Sequence, residues 1–387
     1  MIRIPIRSIA FSLLFCLLIS VQLVQAQGLG LPTGKWGLGF GNLKTFTGIR
    51  FNSVDSNIDK LIGINTTFWF SKPFEDHTGK FTGLGLGIPM AMGTKDRYGV
   101  SLAFLGVAAP DHLGGINIAG VAVGGNYVTG INIGGIAAGA GEIMSGINMG
   151  GLAAGAGTKL AGINVGGLAV GAGSDVAGIN IGGMAAGAGN SIGGLNVGGL
   201  AVGAGKNVAG LSIGGLALGA GNNLTGLNVA SLAAGAGNNI TGINVAGLAL
   251  GAGGTVKGLN VAGLAAGSGT SLSGITIAGL AAGSPEINGL VVSPVAGAAR
   301  IKGIIIAPAY IRVKVDDSEE DQPAIMKGLA ISSFNHIQGT QKGVTIGIFN
   351  FANDLRGLQL GVLNFNKSNP KGLRWLPIFN ARLGKRG

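Results

Sequence analysis

The side chains able to do chemistry are few and scattered. The three histidines, His77, His112 and His336, lie far apart in the chain, and the only cysteine is Cys16. A nucleophile–base–acid arrangement needs a serine and a carboxylate to converge on one of them, and no local pattern arranges that. Two of the histidines fall where turns are expected, and His336 falls on an offset expected to point inward. The run Asp316-Asp317-Ser318-Glu319-Glu320-Asp321 has the charge to hold a cation, but it lacks a turn glycine and interrupts the surrounding pattern, so it reads as a solvated insertion. Calcium-loaded β-rolls need an aspartate in every turn. Here Asp175 stands alone, and Glu142, Lys159, Lys206 and Lys257 occupy comparable exposed places. Phosphate-loop patterns carry no weight in a chain with 78 glycines in 387 residues: Gly205-Lys206 has no glycine five positions earlier and is followed by Asn207. No catalytic, cofactor-binding or metal-binding residues are assigned, and the chain is expected not to be an enzyme.

Basic residues gather near the end, at Lys367, Lys371, Arg374, Arg382, Lys385 and Arg386, with Trp375 among them. Such a cluster suits anionic lipid headgroups, lipopolysaccharide or acidic polysaccharide. It also suits a charged cap on a repeat array, where it blocks end-to-end stacking, and the cap is the favoured assignment.

The elements that must position these residues begin with a leader. Arg3 and Arg7 precede an apolar run from Ile9 to Val21 that ends in Val24-Gln25-Ala26, the form of a secretory signal peptide over residues 1–26. Cleavage there discards Cys16 and leaves 24 basic against 15 acidic residues. Nucleic acid is an unsuitable partner for an exported protein. The chain is 47% hydrophobic and 11% charged, which excludes disorder, and its glycine has no three-residue period, which excludes collagen.

Self-comparison accounts for the composition. From Gly115 to Gly283 a 16-residue unit recurs, of the form G-[IL]-N-[IVM]-G-G-[LIM]-A-x-G-A-G-x-x-[ILV]-x, opening for example at Gly130, Gly146, Gly162 and Gly178. Looser units extend to both sides. The expected organisation is divergent N-terminal repeats over 27–114, regular repeats over 115–283, divergent coils over 284–312, the acidic insertion over 313–324, and C-terminal repeats with the basic cap over 325–387. No second domain is expected.

Counting from the opening glycine, offsets one, three, six and eight are apolar, as in Ile131, Ile133, Ile136 and Ala138. They are expected to line the interior, as are Leu168 with Val170, Phe349 with Phe351, and Leu363 with Phe365. The step of three from offset three to offset six breaks strand alternation, so the chain must turn at Gly134-Gly135 and its counterparts. A second bend falls near the polar pair, as in Asn222-Asn223. Two short strands per unit, bent and repeated at fixed length, describe an all-β fold: a β-solenoid of about 16-residue glycine-rich coils.

Offset two is asparagine at Asn132, Asn148, Asn164, Asn180, Asn196, Asn228, Asn244 and Asn260, with Ser212 and Thr276 in the same column. Stacked coils align these into a ladder of side-chain amides that holds register. The alternative use is a polar stripe that binds a glycan or ice, although ice binders of this shape present threonine rows and only Thr276 fits.

The Gly-Ile-Asn-Ile-Gly-Gly units, followed by KGVTIGIFNFANDLRGLQLGVLNFNKSNPKGLRWLPIFN over residues 342–380, resemble the surface repeat-containing proteins first named in Leptospira and widespread in Bacteroidetes and related Gram-negative groups. The resemblance implies a place more than an activity: cell surface, outer membrane or periplasm. A transmembrane β-barrel, one strand and turn per unit, is the alternative fold, with membrane insertion or peripheral attachment left open. Against it stand the break in alternation within each unit and the lack of a polar lumen face. A hexapeptide-type acyltransferase would need an 18-residue coil. The expected function is a non-catalytic exported structural or interaction protein, with envelope polysaccharide, lipopolysaccharide or a surface protein as partner.

Overall fold

The computed structural model describes residues 28–71, 77–315 and 323–382. The expected leader, the acidic run Asp316–Asp321, Lys385 and Arg386 lie outside the described residues. Strands make up 72% of the protein, which is a β-solenoid of about 19 coils with roughly 16-residue repeats. Contacts divide the chain into two compact units, Met1–Gly167 and Leu168–Gly387, built from the same kind of coil.

A coil of the second unit shows how the repeat folds. Asp175–Gly182 forms an eight-residue strand, the chain bends at Gly183-Met184, Ala185–Ala188 forms a four-residue strand, and a second bend at Gly189-Asn190 leads into Ser191–Gly198. Each strand pairs in parallel with its equivalent 16 residues on: Val176 with Ile192, Gly178 with Gly194, Asn180 with Asn196, and Ala185 with Ala201. The bends pair as well, with Leu200 N–H donating to the Met184 carbonyl at 2.7 Å and Lys206 N–H to that of Asn190 at 2.7 Å. Backbone hydrogen bonding therefore continues around the corners, which is how a chain so rich in glycine keeps its polar backbone satisfied. Parallel partners one coil apart replace the antiparallel neighbours that a membrane barrel of this type requires, so the barrel alternative is set aside.

The opening glycine adds a third break that the repeat pattern does not announce. From Gly130 to Gly274 these glycines have φ between +96° and +118° although they sit within the longer strand. A Cβ on Gly162 would overlap the carbonyl oxygen of Gly146, the equivalent residue one coil earlier, and the same overlap recurs down the column. Only glycine combines this φ with such close backbone approach.

The interior differs from expectation in which side chains it takes. Buried in each regular coil are the asparagine at offset two, glycine or alanine at offset four, the small aliphatic at offset eight (Ala138, Val170, Leu218) and the aliphatic at offset fourteen (Met144, Leu160, Val176, Ile192). Ile131 and Ile133 point outward, and Ile136 and Leu168 are 46% exposed. The large apolar residues at offsets one, three and six thus form the outer surface. In the C-terminal coils Phe349, Phe351, Leu363 and Phe365 are likewise not buried, and Asn350 and Asn364 occupy the interior between them. The physical reason is space. Coils this short leave a thin interior that accepts one or two aliphatic side chains and several small groups per layer, as with Leu218 and Leu224, and amides fit there when they bond to one another.

Both described ends finish on antiparallel pairs: Leu29–Pro32 against Trp36–Phe40, and Trp375–Ala381 against Leu358–Asn366. On either side of the acidic run the strands Arg300–Ile306 and Ile325–Ile331 pair in parallel, Gly303 with Gly328, so the stack keeps its register across a longer unit.

Candidate interaction surface

Inside the coils, the asparagine amides bond along the stack. In the first unit Asn117 donates to Asn132 at 2.9 Å, Asn132 to Asn148 at 2.9 Å, and Asn148 to Asn164 at 2.8 Å. In the second, Asn180 donates to Asn196 at 2.8 Å, Asn228 to Asn244 at 2.8 Å and Asn244 to Asn260 at 2.9 Å, and Asn260 reaches the Thr276 hydroxyl at 3.5 Å. All eight of the repeat asparagines are fully buried. Burial removes this column from any contact with glycan or ice. A second buried chain, Asn335 to Asn350 to Asn364 at 2.7 Å each, occupies a different offset in the C-terminal coils.

Ser212 interrupts the column. It accepts from Asn196 at 3.2 Å, while the buried Oδ1 of Asn228, its neighbour in the next coil, has no donor. Ser212→Asn is expected to complete the run and raise stability by about 1 kcal/mol, the usual net worth of one hydrogen bond. The urea midpoint measures it; a lowered midpoint would show that the column is not limited by this gap.

Toward the N-terminus the same column carries charge. Arg50 bonds through Nε to Asn65 at 2.9 Å and through Nη1 to the Leu43 carbonyl at 2.7 Å, and it forms an ion pair with Asp55, both partners being buried. Arg97, which stands in the column of the buried aliphatics between Phe81 and Leu113, donates to Ser101 of the asparagine column at 2.8 Å and lies over the Phe81 ring at 4.4 Å. Gly85 supplies its room, since a Cβ there would overlap the Arg97 guanidinium. Burial lowers both guanidinium pKa values to about 10, with the charge of Arg97 adding to the effect on Arg50; both stay charged at neutral pH. These groups brace the first coils and offer no opening to a ligand.

The histidines do not meet. His77 is buried, and His112 lies in the strand Gly106–Ala119 rather than in a turn. His336 is half-buried and faces outward, correcting its expected inward position. It bonds to the Tyr310 hydroxyl at 2.8 Å and Gln338 at 3.1 Å within an aromatic stack that runs through Phe334, Phe351 and Phe365 to Trp375. Partial burial and the charge of Arg312 lower its pKa. Elsewhere on the surface, burial and then the charges of Asp96 and Asp111 raise the pKa of Tyr98, and the Arg300 hydrogen bond lowers that of Glu286.

Of the basic cluster, Arg374 is tied to the Asn369 carbonyl at 3.1 Å and Arg382 lies 3.9 Å from Asp354, while Lys367 and Lys371 are exposed. Among the described residues, Arg374 and Arg382 directly flank the antiparallel strand Trp375–Ala381 in the chain.

The most extensive feature of the outside is apolar. In the second unit Ile179, Leu227, Ile243, Leu259 and Ile275 at offset one, and Met184, Leu200, Leu216, Leu232, Leu248, Leu264 and Leu280 at offset six, are each 38–57% exposed. The parallel register sets successive members of each row one coil apart, with Leu195 and Leu211 filling the offset-one row at lower exposure. The first unit carries the same rows, with Ile116, Ile147, Ile163, Ile136 and Leu152. Monomeric proteins seldom expose contiguous apolar patches beyond about 300–600 Å². The bend at offsets eleven to thirteen is polar, as in Lys206-Asn207 and Asn222-Asn223, so each coil has an apolar side and a polar side.

No protein-family model, no curated protein and no solved structure matches the chain.

Proposed function

We propose that this is a non-catalytic, exported interaction protein of the cell envelope, which lays the apolar outer side of its coils against a lipid surface. One observation carries the reading: stacked rows of outward-facing aliphatic side chains along coils whose other bend is polar. An amphipathic element of this kind seats its apolar side at the headgroup–acyl boundary, each buried CH₂ contributing about 0.8 kcal/mol. The mature chain's 24 basic against 15 acidic residues favour an anionic leaflet. The signal-peptide pattern and the resemblance of the GINIGG units to surface repeat proteins supply the envelope location.

The test is co-sedimentation of the mature chain with phosphatidylglycerol-containing vesicles. A sextuple variant, with Ile243, Leu259 and Ile275 changed to Thr and Leu248, Leu264 and Leu280 changed to Ser, removes part of both rows without touching the interior. We expect wild-type protein to pellet with the vesicles and the variant to bind on the order of tenfold or more weakly, with an unchanged thermal midpoint. A wild-type protein that stays in the supernatant, or pellets equally without vesicles through self-association, refutes the lipid reading.

A further inference from the structure

The first unit contains a mixed donor set that no repeat pattern requires. Asp96 opens the strand Asp96–Ala103, and its register with Gly106–Ala119 sets Arg97 beside Leu113 and hence Asp96 beside His112. Adjacent residues of a strand ordinarily point to opposite faces, but the register shifts between Ala109 and His112, and this bulge lets Asp111 and His112 share the outer side. His112 Nδ1 lies 3.3 Å from Asp96 Oδ1 and 3.3 Å from Asp111 Oδ1, and the three ligand atoms all fall within 4.8 Å of one another. The imidazole is held in place by stacking on Tyr127, with centroids 5.0 Å apart and planes 19° from parallel.

We propose that Asp96, Asp111 and His112 form a binding site for a divalent transition metal ion, zinc before the others. Zinc bonds of about 2.0–2.2 Å to nitrogen and oxygen in a tetrahedron set the ligands about 3.3–3.5 Å apart. Two of the three edges already have that length, and the third, between the carboxylates, is within 4.8 Å. Two carboxylates and a neutral imidazole balance the charge of the ion, and the one nitrogen selects zinc, nickel or copper over calcium and magnesium, which take all-oxygen shells. Lys95 pairs with the other oxygen of Asp111, Oδ2, at 3.3 Å, which leaves Oδ1 for the ion. Asp96 and Asp111 are about 30% exposed and His112 is 47% exposed, so the fourth position opens to water. Three protein ligands and one open position make a site that captures the ion and can share it with a donor from another molecule. The site is separate from the apolar rows, and it stands or falls apart from the lipid reading.

The experiment is calorimetric titration of untagged, chelator-treated protein with zinc chloride, alone and in excess calcium or magnesium. Asp96→Asn and Asp111→Asn keep side-chain volume, and His112→Gln removes the nitrogen ligand while its exposed position spares the interior. We expect one zinc per chain, undisturbed by calcium or magnesium, with each variant weakening binding on the order of tenfold or more. Cobalt is expected to give the intense visible bands of a four-coordinate site in the wild type alone. Circular dichroism melts of the variants should coincide with the wild type. Absence of zinc binding, or binding that survives all three substitutions, overturns the proposal and leaves the cluster as an ion-pair network.

Discussion

Replacing Gly194 with alanine should open the coil stack around it, whereas the same change one residue earlier, at Gly193, should leave stability at or slightly above that of the wild type. Gly194 has φ +101°, and a Cβ on it would overlap the Gly178 carbonyl oxygen. Gly193 has ordinary backbone, nothing within 4 Å of where a Cβ would sit, and alanine at the paired positions Ala177 and Ala209. The strained conformation alone costs about 1–3 kcal/mol, and the overlap can be relieved only by moving a carbonyl out of the parallel ladder. We therefore expect Gly194→Ala to destabilise by about 2–4 kcal/mol. Gly193→Ala should gain up to about 1 kcal/mol, because alanine restricts the unfolded chain. Repeat arrays unfold locally as well as globally, so hydrogen exchange of residues 175–214 is the sharper readout beside the urea midpoint. Equal behaviour of the two variants would mean that the positive-φ column does not constrain the coil.

Much of this architecture was legible because it depends on period. The 16-residue repeat, the bends after the Gly-Gly pair and near the polar residues, and the stacking of equivalent residues all follow from spacing. What misled was the use of hydrophobicity as a proxy for burial. Ile131 and Asn132 lie side by side, and the ordinary rule sends the isoleucine in and the amide out. That rule fails when each buried amide has an identical partner one coil away, since the desolvation cost that normally keeps asparagine outside is met along the column. The partner of Asn132 is Asn148, and nothing within a single unit reveals it. The C-terminal coils repeat the lesson with Phe349 and Phe351 outside and Asn350 between them. The Asp96, Asp111 and His112 cluster escaped for a related reason. Its members are one coil apart, so they meet only once the register is known, and the bulge that turns Asp111 outward has no signature in residue type. Arg97 was equally hidden, because its space comes from the missing side chain of Gly85 in the coil before.

The same argument predicts that removing one amide from the buried column costs far more than removing one from the surface. Asn244 accepts from Asn228 at 2.8 Å and donates to Asn260 at 2.9 Å. Asn223 also makes two such bonds, donating to Asn207 and accepting from Asn239 at 3.1 Å each, but in a row at the polar bend that water reaches. Chemistry and bond count are matched, and solvent access is the variable. Asn244→Ala strands the Asn228 amide nitrogen and the Asn260 amide oxygen in the interior, and each orphaned buried group costs about 1–3 kcal/mol. We expect a total loss of about 2–5 kcal/mol for Asn244→Ala, against less than about 1 kcal/mol for Asn223→Ala, where water takes over both bonds. Asn244→Asp keeps the shape but buries a charge beside amide dipoles, and its destabilisation should grow as pH rises through the carboxylate range, because the ionised form is the one the interior rejects. Urea unfolding of the three variants from pH 4 to 8 measures this. Comparable losses at Asn244 and Asn223 would show that the buried amides contribute shape rather than hydrogen bonding, and the inward placement of asparagine would then need a different cause.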